Sequence, residues 1–185
     1  MENDTAKTLT EVKAMNPNTN DSGQEIVSPS TKMVIAMVSK HFRYLVDQHN
    51  LTYDGRFEFT SPKVRIKLEI GHKSPRISIY RPGEPEFTNL LFERIVQYFE
   101  DRLEIDDLVR YFPDFPLEDN IHFMAKLFKR YADRIINQID EWWIPVQVFQ
   151  YKLLEQRYKD AGQLEDFLSG FKRDHDYLKG KGVFE

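Results

Sequence analysis

The run Lys63-Val-Arg-Ile-Lys-Leu-Glu-Ile70 limits the possible folds of this chain more than any other stretch. Val64, Ile66, Leu68 and Ile70 alternate strictly with Arg65, Lys67 and Glu69. Successive side chains of a strand point to opposite faces, so the run predicts a strand with one apolar and one charged face. A sheet built from such strands is covered on one side and open to water on the other. Arg76-Ile-Ser-Ile-Tyr80 repeats the pattern, with Ile77 and Ile79 turned inward. Gly71-His-Lys-Ser-Pro75, between the two, reads as a hairpin loop. The outer face then carries Arg65, Lys67, Glu69, Ser78 and Tyr80, with Lys73 and Arg76 at the hairpin end.

The rest of the chain supplies the cover. Ser28-Pro-Ser-Thr31 reads as a helix start, and Val34, Val38, Phe42, Leu45 and His49 form one stripe at steps of three and four. Asn50 is the expected stop. Leu51 to Phe59 reads as a first strand with an Asp54-Gly55 turn or bulge inside it. After Arg81-Pro-Gly-Glu-Pro85 ends the sheet, Leu91, Ile95, Tyr98 and Phe99 predict a helix to about Arg102. A short helix near Ile105 to Tyr111 and a stiff connector, Phe112 to Pro116, are expected next. Ile121, Met124, Phe128, Tyr131, Ile135, Ile139 and Trp142 keep helical spacing from Leu117, until Pro145 breaks or kinks the helix. Gly162 is a further stop, and Gln163 to Leu178 gives a last helix.

Strands in succession followed by helices indicate an α+β fold. Its expected form is an N-terminal helix, a three-stranded or slightly larger antiparallel meander, and a C-terminal helical region packed on one sheet face. The expected organisation is a flexible polar tail over residues 1–30, one domain over 31–178 and a frayed tail over 179–185. Within the domain, the sheet half covers 31–102 and the helical half 103–178.

The chain has no cysteine, which removes disulfides, thiolate metal sites and a cysteine nucleophile. No apolar run approaches the ~20 residues that a membrane span needs. Met1-Glu-Asn-Asp-Thr lacks a basic and an apolar signal region, so a cytoplasmic protein is expected. The formal net charge of −4 is too mild to demand a charged polymer as partner.

No catalytic motif, metal-ligand spacing or cofactor loop is present, so no catalytic residue, metal or cofactor is expected. Among the histidines, Asp119 and His122 stand three apart on a helix, half of a carboxylate-bridged metal motif that lacks its second half. The expected contact residues are Arg65, Lys67, Arg76 and Tyr80. Cations beside an aromatic ring suit a protein partner. They equally suit nucleic acid through phosphates and stacking, or a merely solvated face. An enzyme with an aromatic-lined pocket between sheet and helices is the third alternative. Trp142-Trp143 offers either core or one exposed hot spot, and oligomeric state is open.

His41-Phe-Arg-Tyr-Leu-Val46, Leu51-Thr-Tyr53, Phe57 to Ser61, Val64 to His72 and Ile77-Ser-Ile79 follow one another in a recognisable order. Over residues 38–100 this order resembles small uncharacterised bacterial immunity-like proteins of polymorphic toxin systems. The resemblance implies a non-catalytic cytoplasmic protein that binds and blocks a toxin. The family brings no shared catalytic residues.

Overall fold

A computed structural model describes residues 29–70, 75–101 and 116–184. The expectations for residues 1–28, for the hairpin loop with His72 and Lys73, and for the segment from Ile105 to Phe115 lie outside the described residues. Backbone contacts divide the chain into residues 1–33 and 34–185. The described part of the first unit is the opening of helix α1 (Pro29–Asp47). The second unit holds everything that follows.

The class is α+β, as the alternation and the helical stripes imply. Strands β3 (Arg65–Ile70) and β4 (Pro75–Tyr80) pair antiparallel, with Ile66 opposite Ile79 and Leu68 opposite Ile77. Strands β1 (Thr52–Tyr53), β2 (Glu58–Thr60) and β5 (Leu90–Leu91) extend them to a five-stranded meander in sequence order. Phe59, Ile66, Leu68, Ile77, Ile79 and Leu90 line the inner face and are buried. Phe42 of α1 meets this face at Phe59, ring centroids 6.1 Å apart. It also meets Phe128 of helix α3 (Leu117–Asn137) at 6.5 Å. Phe92, the first residue of helix α2 (Phe92–Phe99), closes the same cluster 4.9 Å from Phe128.

Several elements depart from the sequence reading, each for a local reason. The first strand is two, because Asp54 Oδ1 accepts the amides of Arg56 (2.7 Å) and Glu58 (3.0 Å) and folds the chain into a tight turn. Gly55, at φ 78°, supplies the left-handed residue there. Leu91 ends β5 rather than lying inside a helix. The long helix breaks at Gln138, not at Pro145, and helix α4 (Ile139–Asp160) runs through the proline. The Trp142 indole donates to the Arg134 carbonyl at 3.0 Å, tying off the last turn of α3. Pro145 deprives only the Glu141 carbonyl, and both residues are exposed, so the freed acceptor is not buried.

The last helix is also two, α5 (Leu164–Gly170) and α6 (Lys172–Gly180). Phe167 of α5 and Leu178 of α6 pack on Tyr151 of α4 as a second, smaller core. Residues expected to fray instead continue α6 and turn at Gly182 (φ 76°), which sets Phe184 against Tyr151 at 5.3 Å. Trp142 and Trp143 are both buried, so neither is an exposed hot spot.

One buried charge disturbs this packing. Burial raises the Glu93 carboxyl above its ordinary pKa despite the nearby charges of Arg76 and Arg94, and its Oε2 has no hydrogen-bond partner. A raised acid stabilises the fold below its ordinary pKa and loses that contribution as pH climbs through the raised value. Glu93→Gln is therefore expected to raise the melting temperature at pH 7, with the gain vanishing near pH 4. Melting curves at the two pH values check it.

Candidate functional site

The outer sheet face begins with a cross-strand pair. Arg65 stands opposite Tyr80, and its guanidinium carbon lies 4.2 Å above the ring centre. Such a cation–π contact contributes ~0.5–1 kcal/mol at an exposed site. Glu86 holds the guanidinium from the other side, Nη2 to Oε1 at 2.9 Å. Further along, Lys67 lies 3.9 Å from Glu69 and opposite Glu58. Arg76 sits across from Glu69 and feels the charge of Glu93. Ser78, between Lys67 and Leu91 in register, is only 2 % exposed. The structure therefore joins Arg65 and Tyr80 directly, places Lys67 on the same face, and sets Arg76 at the far end beside α2. Arg65 is paired with Glu86, Lys67 lies near Glu69 and opposite Glu58 in register, and Arg76 stands opposite Glu69. Among the described residues the face is balanced, not basic.

Beyond Tyr80 the chain leaves the sheet through residues 81–89 and encloses a crevice of about 240 Å³. Arg65, Tyr80, Arg81, Glu84, Glu86 and Asn89 are among its walls. Sequence reading took this loop as the end of the sheet and missed its role. Gly83, at φ 87°, permits the turn, and a 3₁₀ turn over Glu86–Thr88 completes it.

Distant elements brace the loop. Glu84 accepts the Tyr177 hydroxyl at 3.0 Å and the Lys181 ammonium at 2.8 Å. Arg81 pairs with Asp140 at the start of α4. Gln147 of α4 donates to the Thr88 carbonyl. Phe87 sets its ring against Tyr177 at 6.0 Å, and the Arg173 guanidinium lies over the Phe87 ring, 4.0 Å from its centroid. Burial pushes the Glu84 carboxyl up, but the bonds from Lys181 and Tyr177 outweigh it and hold the pKa below its ordinary value.

Burial pushes the Tyr177 hydroxyl up to about 12, with Glu84 adding to the rise and Trp143 opposing it. Tyr53 is also pushed up to about 12, by burial and then by Asp54, and burial raises Tyr44 further. Each of these acids keeps its proton longer folded than unfolded. Their stabilisation is complete below pH ~10 and is lost as pH rises towards 12. We expect alkaline unfolding in that window, and Tyr177→Phe should flatten part of the slope. A pH series of urea midpoints checks both.

No family model, curated protein or solved structure matches this chain. Its chemistry has to be read from its own residues.

The histidines give one cluster that sequence spacing did not disclose. His41 of α1 and His122 of α3 face each other with Nδ1 atoms 3.2 Å apart. Glu118, rather than Asp119, is the carboxylate beside them. Its Oε1 lies 3.4 Å from His41 Nε2 and 2.8 Å from the Lys40 ammonium. Lys40 and His41 stand 77 to 81 positions from their partners Glu118 and His122, so no short motif unites the cluster. The one available signal was that each histidine adjoins a core residue, Phe42 or Ile121. Among the described residues no three His, Asp or Glu side chains form a group fit for a metal ion. A wider hollow of about 600 Å³ lies over Ser169, Gly170, Lys172, Arg173 and Asp176. Neither it nor the loop crevice is lined by a histidine. No helix among the described residues is long and apolar enough to cross a membrane.

Proposed function

We propose that this chain is a non-catalytic binding protein that docks a protein partner on the outer sheet face and seats one partner side chain in the crevice beside it. The observation that carries the reading is the braced Arg65–Tyr80 pair at the crevice mouth. Arginine and tyrosine are enriched among binding hot spots, and preordered side chains lose little entropy on docking. A volume of about 240 Å³ suits one side chain better than a small-molecule substrate, whose pockets run ~300–1,000 Å³. The enzyme alternative also calls for histidine and carboxylate converging in a cleft, and the crevice walls contain no histidine. Nucleic acid calls for cations in excess of local carboxylates, since affinity comes from neutralising phosphates. The balanced face favours a protein.

The particular form of the proposal, following the resemblance over residues 38–100, is an immunity-like contact with a toxin in a bacterial cell. Pull-downs from the native cell with wild-type chain and with Tyr80→Ala test it. A partner retained by the first and lost by the second supports the reading. Capture that is unaffected by Tyr80→Ala sinks it. Binding of a labelled oligonucleotide that collapses between 50 and 200 mM salt would instead favour the nucleic-acid alternative.

A further inference from the structure

The histidine pair between α1 and α3 brings two imidazole nitrogens within reach of a single ion. His41 Nδ1 and His122 Nδ1 are 3.2 Å apart, and the ring centroids are 5.0 Å apart. Two imidazoles joined by a straight N–H···N bond at that nitrogen separation would hold their centroids about 5.5 Å apart, given the ring's own radius. The shorter spacing means that the rings are tilted off the line joining the nitrogens. An ion at the usual Zn–N length of about 2.0 Å from both nitrogens would sit beside the line that joins them. The two nitrogens then span one edge of a tetrahedron, about 3.4 Å at ideal geometry.

Glu118 prepares this arrangement from behind. Its carboxylate lies against His41 Nε2, 3.4 Å away, and so favours the proton on that nitrogen. The lone pair is thereby left on Nδ1, facing His122. A carboxylate behind a ligating histidine fixes the tautomer and raises its basicity. His41 is only 12 % exposed, so its ring is held in place, whereas His122 is open to solvent. Water can therefore fill the remaining positions around an ion.

We propose that His41 and His122 bind a divalent first-row transition ion, zinc or a close relative, through their Nδ1 atoms, with Glu118 as the outer positioning residue. Imidazole nitrogens suit zinc, nickel and copper and exclude magnesium and calcium as competitors. An ion so held clamps α1 to α3. It stabilises the folded chain in proportion to the logarithm of its excess over the dissociation constant. This site is separate from the crevice and does not rest on the binding reading above.

The test is a zinc chloride titration of the tag-free full chain, followed by calorimetry and by melting temperature. The expected result is one saturable site per chain and a melting temperature that rises with zinc. His122→Ala, a surface change, should abolish both without changing the far-ultraviolet spectrum. Glu118→Gln should weaken binding by about 10–100-fold. In long-range ¹H–¹⁵N spectra, zinc should move the Nδ1 resonances of His41 and His122 and leave those of His49 and His175 in place. Absence of saturable uptake below millimolar zinc, or equal uptake by wild type and His122→Ala, overturns the proposal and leaves a plain hydrogen bond between the rings.

Discussion

Phe128→Ala is expected to lower the unfolding free energy by about 3–5 kcal/mol. Phe128 is fully buried on α3. It touches Phe42 of α1 at 6.5 Å and Phe92 of α2 at 4.9 Å. Three helices therefore lose a shared contact when the ring goes, and the neighbours cannot all collapse into one hole. A domain of this size is stable by only ~5–15 kcal/mol, so the variant should sit near the edge of folding. Urea unfolding followed by tryptophan emission measures it, because Trp142 and Trp143 are both buried. A loss under 1 kcal/mol would mean that α1, α2 and α3 do not meet at this ring.

The second large effect concerns binding. Once a partner is in hand, Tyr80→Ala and Arg65→Ala should each weaken its affinity by at least about thirty-fold, the ~2 kcal/mol of a hot spot. Lys67→Ala should do much less. Lys67 is one of the balanced charges on the open face and is 41 % exposed, where an ion pair contributes ~0–1 kcal/mol. The double variant of Arg65 and Tyr80 should lose less than the sum of the single losses, because the two side chains act as one unit. Titration calorimetry with the purified partner decides, with melting curves to confirm that each variant is folded. Equal effects at Arg65, Tyr80 and Lys67 would point to diffuse electrostatics rather than an anchored contact.

The sheet was legible in the sequence because alternation has only one geometric meaning. Val64 to Ile70 and Ile77 to Ile79 leave no other face for their charges. Strand count was less legible. Asp54-Gly55 announces a turn, but whether it interrupts a strand or joins two depends on the Asp54 carboxylate reaching two later amides. The helix break at Gln138 carries no glycine or proline, and it is set by the Trp142 indole reaching back to Arg134. Pro145 was the stronger local signal, yet its cost falls on one exposed carbonyl. The contact residues Arg65 and Tyr80 were legible as neighbours on one face. Their neutralisation was not, because Glu86 arrives from a loop whose path depends on α4 and α6. The histidine cluster was illegible for a similar reason, since two helices must pack before residues 81 apart can meet.

The loop over residues 81–89 depends on side chains made much later. Tyr177 and Lys181, which hold Glu84, follow it by 93 and 97 positions. A ribosome must therefore synthesise α6 and release it from the exit tunnel before the crevice mouth can set. Nascent and prematurely terminated chains would carry Arg65 and Tyr80 without the brace. A partner that reads the braced surface would distinguish chains that carry α6 from chains that lack it.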